Sequence, residues 1–413
     1  MAQPKAYPRH VRLTTKRMAT AVLLLMLPFL QACGGGNARQ STRELPDEYY
    51  GVAGHVLFQL ALAGSYERVD EHLKQIEKLD LAFVRTQLAW PDLEPEGPRD
   101  GSRSYDFAAH DRWVEALARH GLRWYVIGVG TPHWAAEPAA SAAGCSIFSP
   151  PNDEADYAAM MSAVAGRYGR GGSFWEEHPR LPYRPIQDYE IWNEPNLGGG
   201  WCPEPDPARY ARLVVAAEAS LREIDPRARI VMGGLAPVES DKPAAGGIRA
   251  MHATNGFLEA ATAAVPDLAA AVDVVGVHIY AATPEAMFSQ LASYRQAVDL
   301  AGFADKPLSV NEIGWTTSGS GGFAPVSEEV RARYLAETTA AIARSDCDVS
   351  SFAPHTWVTE EADPTNQEQW FGIASPDGGG PYASGLAYRD EAATLPPGTG
   401  VPEGETSPLC GDT

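Results

Sequence analysis

Tyr189-Glu190-Ile191-Trp192-Asn193-Glu194-Pro195-Asn196 carries the strongest structural signal in this sequence of 413 residues. Its first residues favour a short β-strand, and a carboxylate then stands directly before a proline-directed turn. At such a point Glu194 would project from the carboxyl end of the strand. A glutamate held in a turn by backbone amides would look the same, so this segment alone leaves both interpretations open.

A second carboxylate occupies the same kind of position in Leu308-Ser309-Val310-Asn311-Glu312-Ile313-Gly314-Trp315. Glu312 ends a short run of β-forming residues, much as Glu194 follows one. If both strands belong to one parallel sheet, both side chains stand at its carboxyl-terminal edge.

β-rich segments of this kind alternate with helix-like segments from Tyr49 onward, which is typical of a parallel sheet wrapped by helices. Eight such units fit a closed barrel better than a doubly wound sheet, and no Gly-x-Gly-x-x-Gly follows the first strand. We therefore predict an α/β fold, a single (β/α)8 TIM barrel over residues 49–394 with no internal domain boundary. The predicted strands are Tyr50–Leu57, Phe83–Leu88, Arg123–Val129, Asp188–Trp192, Arg229–Gly233, Val272–Ile279, Leu308–Glu312 and Ser350–His355.

Amphipathic stretches between these strands are long enough to be crossover helices. The clearest are Val69–Leu79, His110–His120, Ala155–Tyr168, Pro207–Ile224 and Glu328–Arg344. Two long inserts, Gly130–Asp153 and Trp315–Val326, follow strands, where a barrel places its substrate loops. Residues 395–413 are rich in proline and glycine and predict an extended tail.

In such a barrel strands four and seven face each other across the mouth, so Glu194 and Glu312 form an opposed pair. Cleavage of a glycosidic bond with retention needs one carboxyl to protonate the leaving oxygen. It needs a second carboxyl, about 5–5.5 Å away, to attack the anomeric carbon. The pair supplies both groups.

Trp192-Asn193-Glu194-Pro195 on strand four, with Glu312 on strand seven, resembles glycoside hydrolase clan A, whose members are retaining barrel enzymes. Within the clan, Ile191–Asn196 and Asn311–Trp315, followed by Val326–Glu329, are similar to family 39 and the cellulase-like enzymes near it. The resemblance runs from about Tyr49 to Asp390. It implies hydrolysis of O-glycosidic bonds in a poly- or oligosaccharide by double displacement.

The resemblance also implies roles for single residues. Glu194 matches the clan's acid/base and Glu312 its nucleophile, while Asn193 matches the residue that hydrogen-bonds the sugar 2-hydroxyl. Arg85 matches the second-strand arginine that pairs with the nucleophile and keeps it ionised. Asn311 departs from the Thr or Ser that most clan relatives have before the nucleophile, which leaves the substrate family open.

Two side chains on strand six, His278 and Tyr280, lie two residues apart and share one face. The resemblance suggests that Tyr280 donates to Glu312 and that His278 contacts the substrate or the acid/base. A core histidine bonded to backbone is an equally good interpretation of His278. Metal-dependent barrels need several clustered His and Asp ligands, which the sequence does not show, so we expect neither a metal nor a cofactor.

Aromatic side chains at a barrel mouth can stack on sugar rings. Among the tryptophans near predicted strand ends we select two, Trp134 after the third strand and Trp357 after the eighth. Trp357 occupies the position of the clan's usual platform under the scissile sugar. His133, beside Trp134, is a further candidate contact.

Residues 1–32 predict a bacterial signal peptide, because a basic stretch precedes the apolar run Met18 to Leu30. That run is interrupted by Pro28 and falls short of the roughly 20 residues that cross a bilayer. Its end resembles a lipobox, with Cys33 as the lipidated residue, although Gln31 departs from the usual small residue. Residues 33–48 would then be a flexible tether, and the protein a membrane-anchored lipoprotein of the cell surface or periplasm, or otherwise a secreted protein.

The remaining cysteines, Cys145, Cys202, Cys347 and Cys410, are even in number, which favours two disulfides in an exported protein. Three pairings exist. We prefer Cys145 with Cys202 and Cys347 with Cys410, because the predicted barrel puts each pair at one end. Buried free thiols are the alternative.

The charge excludes some partners. The five basic residues among positions 1–32 have no acidic counterpart there, so the remainder holds 28 basic and 53 acidic residues, a net charge of −25. Such a surface repels nucleic acid and anionic membrane and suits a neutral carbohydrate, leaving a lipid anchor as the only membrane contact. Two other functions stay open, a carbohydrate-binding lipoprotein without activity or a structural adhesion protein, and a transglycosylase would use the same residues. The sequence leaves the oligomeric state open.

Overall fold

The computed structural model describes residues 44–137, 144–145, 147–244, 250–402 and 404–411. The predicted signal peptide, the predicted lipidation site Cys33 and most of the predicted tether lie outside these residues. Among the residues described, no helix has both the length and the apolar character needed to span a bilayer.

Eight parallel strands form one sheet in which each strand pairs with the next in the sequence. A parallel bridge between Tyr50 and Phe352 links the last strand to the residue that precedes the first. The predicted (β/α)8 TIM barrel is therefore confirmed. The strands are β1 Gly51–Ala53, β2 Phe83–Ala89, β3 Arg123–Val129, β4 Asp188–Ile191, β5 Arg229–Leu235, β6 Val274–Ile279, β7 Leu308–Ile313 and β8 Val349–Phe352.

Helices follow the strands and cover the outside of the barrel. Several begin with the residues expected to cap them: Asp206 accepts a hydrogen bond from the backbone of Arg209 and Thr283 from that of Ala286, each directly before a proline. The α-helices are His55–Leu62, Tyr66–Lys78, Trp90–Leu93, Ala108–Arg119, Glu154–Tyr168, Ser173–Glu177, Pro207–Ile224, Thr254–Ala264, Leu268–Ala271, Pro284–Val298, Glu328–Ala343 and Ala383–Ala392. A π-helical turn, Asp299–Phe303, and a 3₁₀ turn, Gln367–Trp370, are the other helical elements among the described residues.

Four of the predicted strands were too long: Tyr50–Leu57, Asp188–Trp192, Val272–Ile279 and Ser350–His355. The first strand ends at Ala53, because the apolar residues from Val56 onward belong to the helix that begins at His55. Short apolar runs do not distinguish a buried strand from a buried helix. The eighth strand ends at Phe352, shortly before Pro354, which has no backbone N–H for a strand ladder.

Toward the amino-terminal ends of the strands, the interior of the barrel is filled with apolar side chains. Phe83, Tyr125, Val231, Val274 and Ala353 form a buried cluster there, separate from the larger core between strands and helices. Because side chains alternate along a strand, Arg85 lies on the same side of β2 as Phe83, two residues nearer the carboxyl end. The next layer of the barrel interior is therefore polar, and it is where the candidate site lies.

Both disulfides have the predicted pairing. Cys145–Cys202 joins the loop after β3 to the loop after β4, at the carboxyl ends of the strands. Cys347–Cys410 joins the residues just before β8 to the C-terminal tail. The side chain of Asp346 also accepts hydrogen bonds from the backbone of Cys410 and Gly411, so the tail is held at the opposite end of the barrel, as predicted.

Removing the Cys347–Cys410 disulfide should destabilise the barrel. The bond closes a loop between residues 63 positions apart, so replacing both cysteines with alanine should lower the free energy of unfolding by about 2–4 kcal/mol. Urea unfolding followed by tryptophan fluorescence measures this change. The matched variant without Cys145–Cys202, whose cysteines are 57 positions apart, should lose a similar amount. An unfolding midpoint equal to that of the parent protein would contradict this expectation.

Candidate active site

The two predicted carboxylates meet at the carboxyl end of the barrel. One oxygen of Glu194, one of Glu312 and a ring nitrogen of His278 all lie within 4.8 Å of one another. The Nδ1 atom of His278 is 2.9 Å from Glu194 Oε1 and 3.4 Å from Glu312 Oε2. Both carboxylates are partly open to solvent, 27% for Glu194 and 14% for Glu312.

Glu194 is placed by an unusual turn after β4. Trp192 has φ 70° and Glu194 has φ 48°, both in the left-handed region that non-glycine residues rarely adopt. Such a backbone costs on the order of 1–3 kcal/mol per residue and persists only where its surroundings enforce it. The Glu194 N–H donates to the carbonyl of Gly234, and the Asn196 side chain exchanges two hydrogen bonds with the backbone of Ala236. The turn is therefore fastened to the end of β5.

Glu312 accepts hydrogen bonds on both oxygens. Arg85 Nη1 donates to Oε1 at 2.8 Å, and the hydroxyl of Tyr280 donates to Oε2 at 2.8 Å, as the sequence resemblance suggested. Burial alone would raise the pKa of Glu312, but the charges of His278, His355 and Arg85 and the hydrogen bond from Arg85 hold it well below its usual range. Glu312 is therefore an ionised carboxylate at neutral pH.

Arg85 binds three side chains through their oxygens, and its Nη2 atom also lies 3.4 Å from Nε2 of His278. Besides Glu312, its Nε and Nη2 atoms each donate to Glu190 at 2.7 Å, and Nη2 also donates to Asn193 Oδ1 at 2.9 Å. Since the oxygen of Asn193 is used in this way, its N–H2 is the group that it can present to a ligand. Arg85 and Asn193, both selected from the sequence as site residues, thus lie beside the carboxylates.

Glu190 is a site residue that the sequence analysis missed. It is fully buried in the middle of β4 and forms both bonds to the Arg85 fork. A signal for it was present, because a charged residue in a short buried strand requires a partner of opposite charge. Asn311, which stands where most clan relatives have Thr or Ser, is also buried. Its side chain has room because residue 276 is glycine: a Cβ there would lie 2.7 Å from Nδ2 of Asn311.

His278 is fully buried, and its ring forms a hydrogen bond with the side chain of Glu194 rather than with the backbone. Burial alone would lower its pKa, but the charge of Glu312 and the charge and hydrogen bond of Glu194 raise it above the ordinary value. The ring fits only because residue 234 is glycine: a Cβ there would lie 2.0 Å from Nε2. Of the two interpretations of His278, the contact with Glu194 is the one found.

Aromatic rings not selected from the sequence surround Tyr280. Phe323 lies 5.3 Å from it, Phe371 5.9 Å and His355 6.3 Å between ring centroids. Phe323 belongs to the predicted substrate insert after β7, and its N–H donates to Gln367 in the segment after β8. His355 Nδ1 is 3.8 Å from Glu312 Oε2. These rings form one wall of the site beside the ionised carboxylate.

The predicted sugar platform at Trp357 does not fit the structure. Trp357 is fully buried and its indole N–H donates to His72 Nδ1, so it has no exposed face for a ligand. Trp134 is half-buried against Trp90, beneath the guanidinium of Arg103. His133 beside it is exposed. Neither Trp134 nor His133 is brought to the carboxylates by a contact among the described residues.

The carboxylate cluster has the ligand types of a metal site, but its surroundings disfavour a cation. Both oxygens of Glu312 already accept hydrogen bonds from Arg85 and Tyr280, and the guanidinium adds positive charge beside them. A second group, Asp346, Cys347 and Cys410, has no thiolate to offer because its cysteines form a disulfide. The expectation of no metal and no cofactor stays a prediction.

Comparison with known proteins gives matches at the level of structure. No protein-family model and no curated protein sequence matches the chain. A monomeric β-xylosidase from Caulobacter crescentus CB15 superimposes with a TM-score of 0.60 at 21% identity, covering 84% of this chain and 69% of that one. The GH39 enzyme from Xanthomonas axonopodis pv. citri gives a TM-score of 0.56 at 18% identity, covering 86% and 69%.

A GH5_18 protein from Bifidobacterium longum subsp. infantis gives a TM-score of 0.59 at 16% identity, covering 88% of this chain and 85% of that one. At these identities the similarities show the fold that the chain shares with glycoside hydrolases. Structures of family 39 are among them, as the sequence resemblance predicted.

The imidazole of His278 should titrate above pH 6.5, since its carboxylate neighbours favour the charged form. Glu312→Gln removes one of those charges and should lower the pKa of His278. NMR of the histidine ring protons against pH measures both values. His72 is an internal control: burial, together with the charge of Arg68, lowers its pKa, and it should not respond to the variant. Equal His278 midpoints in the two proteins would refute the charge coupling.

Proposed function

We propose that this protein is a glycoside hydrolase of clan A that cleaves O-glycosidic bonds of a poly- or oligosaccharide with retention of configuration. The observation that carries the proposal is the pair Glu194 and Glu312, with carboxylate oxygens within 4.8 Å of each other at the open end of the barrel. Retaining enzymes need two carboxyl groups about 5–5.5 Å apart. The shared fold supports the same conclusion.

In the first step, ionised Glu312 attacks the anomeric carbon while Glu194 transfers its proton to the leaving oxygen. Arg85 and Tyr280 hold the two oxygens of Glu312 and keep the attacking group charged and oriented. The products are a glycosyl ester on Glu312 and a free alcohol. Asn193 can donate its N–H2 to the sugar 2-hydroxyl, a bond that should strengthen as positive charge develops on the sugar.

In the second step, Glu194, now ionised, removes a proton from water, which attacks the same carbon and releases the sugar. The difference between the carboxylates supports this division of roles. Glu312 is held by Arg85 and Tyr280, whereas Glu194 is the more exposed and accepts from His278. The group that must exchange protons with leaving group and water is thus the one nearer to solvent.

Export and lipid anchoring belong to this proposal as well. The two disulfides support a location in an oxidising compartment outside the cytosol. Lipidation at Cys33 would then tether the barrel to a membrane, while its strongly acidic body favours contact with neutral glycans over nucleic acid. Mass spectrometry of the protein purified from its own membranes would test the lipid on Cys33.

Removing either carboxylate should strongly lower the turnover of aryl glycosides and polysaccharides. We expect Glu194→Gln to lower kcat by about 10²- to 10⁴-fold, the usual contribution of a general acid–base, and Glu312→Gln to lower it at least as much. Steady-state kinetics over a glycan panel measures both. Glu176→Gln, at an exposed glutamate on the helix Ser173–Glu177 that makes no bond to Glu194 or Glu312 among the described residues, is the matched control. Near-parental turnover by Glu194→Gln or Glu312→Gln would overturn the assignment.

The product of the first turnover should have the anomeric configuration of the substrate, because two inversions at one carbon restore it. Proton NMR during the reaction, before mutarotation, gives this directly. An inverted product would exclude Glu312 as a nucleophile. A product carrying a second sugar in place of water would identify a transglycosylase, and binding without any product would favour the carbohydrate-binding alternative.

A further inference from the structure

Next to Arg85 lies a third carboxylate, Glu190, which has no role in the steps above. Glu190 is fully buried, and both of its oxygens accept from the guanidinium of Arg85. The backbone N–H of Gly234 also donates to Glu190 Oε1 at 2.9 Å. The Arg85 fork is thus bound on one side by Glu190 and on the other by Glu312 and Asn193.

We propose that Glu190 is a positioning residue: it fixes the plane of the Arg85 guanidinium and thereby places Glu312 and Asn193 for reaction. This inference rests on the proposed glycosidase function and deepens it. Glu190 itself does not touch the substrate in this scheme.

Glu190 sets the orientation of the guanidinium through two hydrogen bonds. A guanidinium is planar, so fixing two of its nitrogens fixes the directions of its other donors. Glu190 binds Nε and Nη2, which leaves Nη1 directed at Glu312 Oε1 and the second hydrogen of Nη2 directed at Asn193 Oδ1. Without Glu190, Arg85 could rotate about its long side chain toward Glu312 alone. Glu190 cannot follow such a rotation, because it lies within β4 and is held by the N–H of Gly234 on β5.

The charge of Glu190 also acts on Glu312. Glu190 and Glu312 share the single positive charge of Arg85 at hydrogen-bond distance. A negative charge on Glu190 repels that of Glu312 and offsets part of the attraction that Arg85 exerts on Glu312. If Glu190 were neutral, this repulsion would be lost, and Glu312 would be a weaker base and a poorer nucleophile.

Asp188 on the same strand provides a matched comparison. It is also buried and also paired with arginines, bonding to Arg123 and to Arg229, whose Nε donates at 2.7 Å. Arg123 in turn pairs with Glu48, away from Glu194 and Glu312. Loss of the Asp188 charge should therefore cost stability without disturbing the site.

The test compares Glu190→Gln with Asp188→Asn. A glutamine can accept from Gly234 through its oxygen, but its N–H2 then faces a donor of Arg85, so the fork is released. We expect kcat of Glu190→Gln to fall about 10- to 100-fold with KM changed less than about threefold, because misplacement by about 1 Å costs that much in rate. Asp188→Asn should lower the unfolding midpoint but keep kcat. Equal kcat in the two variants would overturn the proposal.

A double-mutant cycle separates positioning from general damage. If Glu190 acts through Arg85, the loss caused by Asn193→Ala should be smaller in the Glu190→Gln background than in the parent, since Asn193 is then already misplaced. The same loss should be undiminished in the Asp188→Asn background. Additive losses with Glu190→Gln would count against the proposal.

Two further measurements keep the inference testable. If Glu190→Gln does not fold, Glu190→Asp keeps the charge but is one methylene shorter; we expect lower kcat and the same coupling to Asn193, and parental kcat with additivity would refute the role. In unliganded protein, the Asn193 side-chain amide resonances should shift in Glu190→Gln and not in Asp188→Asn. The NMR measurement does not depend on turnover. If the parent protein cleaves no glycoside, the proposed function is wrong, and the amide resonances still show whether Glu190 positions Asn193.

Discussion

One guanidinium holds the candidate site together. Arg85 reaches from β2 to Glu190 on β4, to Asn193 in the turn after β4 and to Glu312 on β7, all at 2.7–2.9 Å. A buried ionised group is costly unless it is paired and fully hydrogen-bonded. Since the partners of Arg85 come from different strands, the charges can be satisfied only when the barrel is closed and in register. The stability of this layer and the geometry of the site therefore have the same origin.

The barrel meets this requirement by stacking layers. Apolar side chains such as Phe83 and Tyr125 fill the interior below, and the charged layer sits directly above, at the carboxyl ends of the strands. Glycine at position 234 leaves room for the ring of His278, and the left-handed turn at Glu194 directs that carboxylate back toward the mouth. Local backbone strain is tolerated where surrounding hydrogen bonds enforce it, and the turn beside Glu194 is such a place.

Much of the architecture could be read from pattern alone. Strand–helix alternation is local, so all eight strands were located, although several ends were misplaced; a short apolar run and a proline explain the errors at Val56 and Pro354. Asn193, Glu194 and Glu312 stand in recognisable motifs at strand ends, and the cysteine pairing followed from the ends of a barrel. Glu190 and Phe323 were missed because their significance lies in partners more than 40 residues away. Trp357 was wrong for a related reason, since sequence position near the rim does not tell which way a ring turns.

The sequence by itself determined the parallel barrel and the two glutamates at strand ends, and it favoured one disulfide pairing, because each depends on periodicity or on position at a strand end. Only the tertiary structure decided which groups share Arg85, that His278 bridges toward both carboxylates, and that Trp357 faces the core. Those outcomes depend on side-chain direction and on the register between distant strands. A barrel sets these through closure of the whole ring, so no local segment of the chain contains them.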